Sequence, residues 1–221
     1  MNIFDIMGPI MVGPSSSHTA GAVRIGLMTR RLLGSQPVKA ELLLHGSFAA
    51  TGQGHGTDRG LVAGLLGMQP DNREIPRSFA LAEAAGMEVT VGNIVLRGAH
   101  PNTALLKVTD EKGVHLEVLA SSLGGGRVRV NAIDGLDASF TGDQPTLIIR
   151  NEDHPGVVAE VTAVLSQRRV NIATMQLYRD MRGGLAVMVL ESDQPVWQAA
   201  IEELRALTGI VQVTYLDMEE H

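Results

Sequence analysis

The chain has 221 residues, 44 % of them hydrophobic, which is enough for one large or two small domains with buried cores. Its net charge of −6 excludes the basic footprint of a nucleic-acid-binding surface, and zero cysteine excludes disulfides, thiol catalysis and thiolate-held metal centres in this chain. No secretory leader pattern and no stretch of about 20 apolar residues is evident, so we expect a cytoplasmic protein without membrane contact.

The first chemically notable stretch is Gly-Pro-Ser-Ser-Ser-His-Thr at residues 13–19, directly before a predicted helix over 20–33. The first turn of a helix has free backbone N–H groups and favours negative charge. Ser and Thr are also good helix caps, so a capping role is the alternative for each serine. Because three serines with His18 and Thr19 exceed what a cap requires, the run predicts an anion site.

A glycine-rich segment follows the strand predicted over 38–44. Its spacing predicts a short helical piece, a loop, and then a helix over 58–66 capped by Thr57 or Asp58. His55 stands in the predicted loop between Gly54 and Gly56, where its ring is expected to be reachable. A neutral imidazole accepts a proton near neutral pH, and Asp58 could orient it. The alternative is an exposed loop histidine without a role.

Two further polar segments lie later in the first domain, among a helix predicted over 76–85 and strands over 88–97, 103–109, 114–121 and 127–133. The first is His-Pro-Asn-Thr at 100–103, and the second is Ser-Ser-Leu-Gly-Gly-Gly at 121–126, whose N–H groups could form an anion-binding nest. Plain turn formation is the alternative for both. We expect all four segments to contribute to one composite site. His18, His45, His55 and His100 lack metal-ligand spacing and an acidic cluster, so no metal site is predicted.

The second domain is predicted over 146–221, after a linker over 141–145. Its elements are expected in the order β-α-β-β-α-β, with strands over 146–150, 171–179, 185–191 and 210–216 and helices over 157–168 and 195–207. The predicted fold is therefore α+β, a mixed α/β domain over 1–140 followed by a ferredoxin-like domain. A loop over 151–156 precedes the first of these two helices, and it is either a ligand site or only a tight turn.

The four polar segments, at 13–19, 54–58, 100–103 and 122–126, resemble in this order the β subunits of bacterial iron–sulfur-dependent L-serine dehydratases. Residues 146–221 are similar to the ACT domain, a small regulatory module of amino-acid metabolism. The first domain is also similar to the allosteric substrate-binding module of some phosphoglycerate dehydrogenases. Together these resemblances cover nearly the whole chain.

The resemblance implies an L-serine ammonia-lyase that forms pyruvate and ammonia with a 4Fe-4S cluster, whose cysteines belong to a catalytic α subunit. This chain alone is then expected to be inactive, and the ACT domain is expected to form a homodimer, to bind an amino acid, or both. His55 is the first candidate for the general base and His18 the second. The implied substrate-binding residues are Ser15, Ser16, Ser17, Thr19, Thr57, Asn102, Ser122, Gly124 and Gly125. The implied effector site of the ACT domain consists of Asn151, Asp153, His154 and Gly156.

Two other functions fit parts of the pattern. The chain could be a non-catalytic, amino-acid-sensing subunit of another enzyme. It could also be a histidine-dependent hydrolase with Ser17 or Ser122 as the nucleophile, although a Gly-x-Ser-x-Gly elbow and a catalytic triad are missing.

Overall fold

The computed structural model describes residue 13 and residues 15–217. Internal contacts divide the chain into two compact units, 1–134 and 135–221. The predicted domain boundaries, 1–140, 141–145 and 146–221, stay predictions. Residues 1–12, 14 and 218–221, which belong to those predicted domains, lie outside the described residues.

The helices of the first unit begin with a π-helical turn that continues directly into α1. Gly34 terminates this helix: it has a left-handed φ of 84° and donates its N–H to the Arg30 carbonyl. The bounds are Ser16–Ala20 for the π-helical turn, Gly21–Leu33 for α1, Gly46–His55 for α2, Thr57–Leu65 for α3, Ile75–Arg77 for a 3-10 turn and Ser78–Ala84 for α4.

The strands of the first unit lie side by side in the order β2-β1-β3-β4-β5. β1 is parallel to β2, and the remaining neighbours are antiparallel. Alternate apolar side chains, such as Leu42 and Leu106, are fully buried on the face that α1 and α3 cover. The bounds are Pro37–Leu44 for β1, Glu88–Asn93 for β2, Thr103–Asp110 for β3, His115–Gly124 for β4 and Arg127–Ile133 for β5.

α1 and α3 touch through glycines. A Cβ atom at Gly64 would lie 2.1 Å from the Val23 carbonyl oxygen and 2.8 Å from the Gly26 Cα. One at Gly60 would lie 3.0 Å from the Thr19 carbonyl oxygen. Because Gly60 and Gly64 have no side chains, the backbones of α1 and α3 approach closely, and the start of α3 lies directly beside the π-helical turn.

The predicted loop around His55 is wrong. α2 continues to His55, and Gly56 alone, with φ 69°, separates it from α3. The glycines of this segment favour a loop, because each glycine inside a helix costs about 1 kcal/mol relative to alanine. Phe48 is fully buried, however, and the packing of its side chain stabilises α2 by more than this cost. The N-cap of α3 is Gly56 without a side-chain hydrogen bond, so the caps predicted at Thr57 or Asp58 are also wrong.

The second unit confirms the predicted ferredoxin-like order. After a short strand that was not predicted, β6, its remaining strands lie in the order β10-β7-β9-β8 with every neighbour antiparallel. The bounds are Leu136–Phe140 for β6, Thr146–Glu152 for β7, Val157–Gln167 for α5, Ile172–Arg179 for β8, Leu185–Ser192 for β9, Gln198–Arg205 for α6 and Ile210–Leu216 for β10. The core of this unit includes Leu147, Ile149, Val161, Leu165, Met188, Ile201 and Leu204.

No helix in the described part of the chain combines the length and the apolar character that crossing a membrane requires.

Candidate active site

The hydroxyl-rich run forms the π-helical turn, a geometry that is frequent at functional sites. Ser15 caps this turn, since its Oγ accepts a hydrogen bond from the His18 N–H at 3.2 Å. Ser16 contributes its backbone carbonyl, which accepts the Gly21 N–H. The capping interpretation therefore applies to Ser15, while Ser17 directs its hydroxyl toward the His18 ring.

Both nitrogens of the His18 ring have partners within the chain. Nδ1 lies 3.1 Å from Ser17 Oγ and 3.3 Å from Ser15 Oγ, and Nε2 lies 3.0 Å from Ser47 Oγ on α2. The ring also packs edge-on against Phe48, with 5.4 Å between ring centroids. These contacts hold the imidazole in one orientation.

Burial lowers the pKa of His18, and the neighbouring His55 lowers it further, while hydrogen bonding to Ser47 acts in the opposite direction. The ring is therefore neutral at neutral pH. A neutral imidazole has one N–H donor and one acceptor nitrogen, which suits hydroxyl partners that can donate or accept.

His55 ends α2 and faces His18 at a centroid distance of 5.2 Å and an interplanar angle of 44°. Its carbonyl accepts a hydrogen bond from Thr19 Oγ1 at 3.0 Å, which ties α2 to the π-helical turn. Its Nδ1 is buried and has no hydrogen-bond partner among the described residues. A buried polar atom without a partner is rare and is frequently explained by a bound ligand or a catalytic role.

Two expectations about His55 are corrected. The ring is half-buried at a helix end rather than exposed in a loop, because α2 continues further than predicted. Asp58 does not orient the ring, since His55 Nδ1 has no partner in the described part of the chain and Asp58 Oδ1 accepts the Arg59 N–H at 2.8 Å.

Two further hydroxyls near these segments also lack partners. Thr57, the first residue of α3, and Ser122, on β4, are both fully buried, and neither oxygen has a hydrogen-bond partner among the described residues. Ser122 Oγ would lie 2.1 Å from a Cβ atom at Gly21, so only glycine fits there. An unsatisfied buried hydroxyl costs about 1–3 kcal/mol, which a bound ligand can recover.

The structure separates the predicted composite site into parts. Asn102 accepts the Ser122 N–H with its backbone carbonyl at 2.9 Å, so it adjoins the site through its main chain. Gly124 and Gly125 have φ of 89° and 62° and form the tight turn between β4 and β5, in agreement with the turn-forming alternative. The contacts of the described residues unite Ser15, Ser17, His18, Thr19 and His55, but not these two glycines.

Ser47 is a site residue that the sequence interpretation missed. It lies 29 positions from His18, in the first turn of a helix, and its N–H is accepted by the Pro101 carbonyl at 2.8 Å. In the sequence, Ser47 is marked only by the glycine that precedes it, Gly46. Its pairing with His18 depends on how α2 packs against the π-helical turn.

In the second unit, the predicted effector loop is held by its own contacts. Hydrogen bonds from the Gly183 N–H and the Arg179 guanidinium, at 3.1 and 2.9 Å, lower the pKa of Asp153. The ring of His154 lies against Gly209. Gly156 adopts a φ of 103° directly before α5. Asn151 lies at the end of β7 rather than in a loop, and its buried Oδ1 has no partner among the described residues. The effector site stays a prediction.

The lowered pKa of His18 predicts a pH dependence of stability. An unfolded chain binds a proton to this ring near pH 6.5, whereas the folded chain does so only at lower pH. The unfolded state therefore binds more protons in the window below about pH 6.5, and the contribution of neutral His18 is lost as the pH falls.

Urea unfolding of the chain and of His18→Gln, each at about pH 7.5 and about pH 5, measures this contribution. We expect the free energy of unfolding to fall less on acidification in the variant. An equal or larger fall in the variant would contradict the lowered pKa.

Comparisons with known proteins agree with the resemblance of the sequence motifs to serine dehydratase β subunits. Residues 2–93, which include both histidines, match the family described as "Serine dehydratase beta chain", and residues 145–209 match the ACT domain. The chain is 38 % identical to the probable L-serine dehydratase beta chain of Bacillus subtilis, over 96 % of each chain.

Two other relatives extend the comparison. The L-serine dehydratase beta chain of Peptoniphilus asaccharolyticus is 33 % identical over 97 % of each chain. The D-3-phosphoglycerate dehydrogenase of Archaeoglobus fulgidus is 27 % identical over 97 % of this chain but only 39 % of its own length. Because relatives above 30 % identity align along almost their whole length, the chain belongs to the L-serine dehydratase beta-chain family.

Proposed function

We propose that this chain is the β subunit of an L-serine ammonia-lyase, which converts L-serine to pyruvate and ammonia in a complex with a catalytic α subunit. The observation that carries the proposal is the histidine pair. Two imidazoles from separate segments face each other at 5.2 Å, among serine and threonine hydroxyls and within the range that matches the family.

The residues of this chain do not fit a 4Fe-4S cluster of their own. The sequence has no cysteine, and the described residues contain no group of three or more potential ligand side chains suited to a metal ion. We therefore assign the cluster ligands to the α subunit. A cluster bound there would supply a Lewis acid for the hydroxyl group of serine.

His55 is assigned as the base that takes the proton from carbon 2 of serine. A base needs an available lone pair, and the Nδ1 of His55 has no partner among the described residues, whereas both ring nitrogens of His18 are occupied by serine hydroxyls. The pKa of His18 is lowered, so this ring stays neutral. A neutral His18 lets His55 become positively charged without repulsion from a second cation.

The polar groups around the pair are assigned to the carboxylate of serine. Thr57 and Ser122 have buried hydroxyls without partners, and these can donate to a carboxylate oxygen. Ser15 and Ser17 hold His18, and Thr19 holds the backbone of His55, so they position the imidazoles. The substrate-binding roles of Ser16, Asn102, Gly124 and Gly125 stay predictions.

For the ACT domain we propose homodimerisation. β8 is an edge strand of its sheet, and Met175 and Leu177 on this strand are 37 % and 46 % exposed. Sedimentation of the full chain is expected to give twice the mass of one chain. A monomer at all concentrations would leave amino-acid binding as the role of this domain.

Production of this chain together with a cysteine-bearing α subunit, without oxygen, tests the function. The purified complex is expected to be brown and to form pyruvate from L-serine, while neither chain alone does so. A colourless chain that binds L-serine without a partner, and a mixture that forms no pyruvate, would contradict the proposal and favour an amino-acid sensor.

A further inference from the structure

A second cavity lies on the other face of the sheet in the first unit. Neighbouring residues of a strand point to opposite faces, so Ser122 faces α1 while Ser121 faces away from it. There the connection between β2 and β3 lies over the sheet and borders a partly open cavity of about 420 Å³. Because the sheet separates the two sites, a ligand in this cavity does not contact the histidine pair.

The floor of this cavity is a hydrogen-bonded polar network. Thr103 and Ser121 are 0 % and 3 % exposed, and their hydroxyl oxygens are 2.7 Å apart. Thr103 Oγ1 also donates to the His100 carbonyl at 2.6 Å, and Asn131 Nδ2 donates to Ser121 Oγ at 2.8 Å. These bonds fix the positions of the polar groups before any ligand binds, which reduces the entropy cost of binding.

The cavity carries positive charge without a counter-charge. Arg97 and Arg129 both line it, and no aspartate or glutamate does. Among the described residues, neither guanidinium forms an ion pair or a side-chain hydrogen bond. Arginine presents several N–H donors in a planar fork that matches a carboxylate or a phosphate. Two arginines without acidic partners, beside hydroxyl and amide groups, therefore suit an anion.

The size and the remaining walls indicate an organic anion. A volume of about 420 Å³ falls within the range of small-molecule sites and exceeds what one phosphate ion occupies. Leu96, Leu119 and Leu123 contribute apolar wall that a carbon skeleton can contact. We propose that this cavity binds a small organic acid, held through a carboxylate or phosphate group by Arg97 and Arg129.

Calorimetric titration of the full chain with succinate and with inorganic phosphate tests this site. Succinate carries carboxylates and the other probe is a phosphate, so the probe that binds with the lower dissociation constant identifies the group that the cavity prefers. We expect Arg97→Gln and Arg129→Gln each to weaken binding by about tenfold or more, because each removes charge-assisted hydrogen bonds. Both arginines are exposed, so neither substitution removes a core contact.

Arg127→Gln is the matched control, since Arg127 lies on the same strand and its loss changes the net charge equally, but it does not line the cavity. We expect this variant to bind as the unaltered chain does. Absence of heat with both probes, or an equal loss in Arg127→Gln, would overturn the proposal. His55→Gln should leave this binding unchanged, so the result is independent of the proposed lyase activity.

Discussion

Replacing His55 with glutamine is expected to lower the turnover number for pyruvate formation by about 10²–10⁴-fold in the complex with the α subunit. Glutamine retains a side-chain amide but cannot accept a proton near neutral pH, so the variant loses the proposed base. Steady-state assays of pyruvate from L-serine measure the effect. His115→Gln is the control, because this exposed histidine lies on β4 outside the site, and we expect it to leave turnover unchanged.

His18→Gln separates the roles of the two histidines. His18 is assigned as a positioning residue, because both of its ring nitrogens contact serine hydroxyls. Its loss is therefore expected to lower turnover less than the loss of His55 does. If His55→Gln kept near-normal turnover while His18→Gln lost it, the assignment of the base would be reversed.

Gly64→Ala is expected to lower the free energy of unfolding by about 3 kcal/mol, the largest stability effect that we predict. A Cβ atom at this position would lie 2.1 Å from the Val23 carbonyl oxygen and 2.5 Å from the Leu27 nitrogen, and both are backbone atoms of α1. Since neither can rotate away, α1 and α3 must separate. Urea unfolding followed by circular dichroism measures the change.

Gly54→Ala is the matched control for this packing. Gly54 lies within α2, and a Cβ atom there would have no neighbour within 4 Å. Alanine is a better helix former than glycine, so we expect this variant to be unchanged or more stable by up to about 1 kcal/mol. Equal effects of the two substitutions would contradict the close contact between α1 and α3.

The second domain could be predicted almost completely from the sequence. Its apolar runs alternate clearly and are separated by turn residues, and the predicted strand over 210–216 has the observed bounds of β10, Ile210–Leu216. β6, Leu136–Phe140, was missed, and helix α6, Gln198–Arg205, is shorter than the predicted 195–207. The predicted helix start at residue 20 is within one residue of the start of α1, Gly21, but the hydroxyl-rich run before it is itself helical, as the π-helical turn Ser16–Ala20.

The candidate site could be predicted only in part. The motif identified His18 and His55, but glycine propensity favoured a loop where the burial of Phe48 produces a helix. The hydrogen bond between His18 and Ser47 depends on tertiary packing, which local patterns do not contain. The separation of Ser121 from Ser122 was likewise not predicted, because the predicted strand ends at residue 121 whereas β4 continues to Gly124 and places the two serines on opposite faces.

Chemical rescue with imidazole tests whether His55 supplies the base of the lyase. The complex containing His55→Ala is assayed for pyruvate formation from L-serine with increasing imidazole, which can replace the missing ring. We predict that imidazole restores turnover, and that the rescued rate falls when serine carries deuterium at carbon 2. No rescue of His55→Ala, together with rescue of His18→Ala, would contradict the claim.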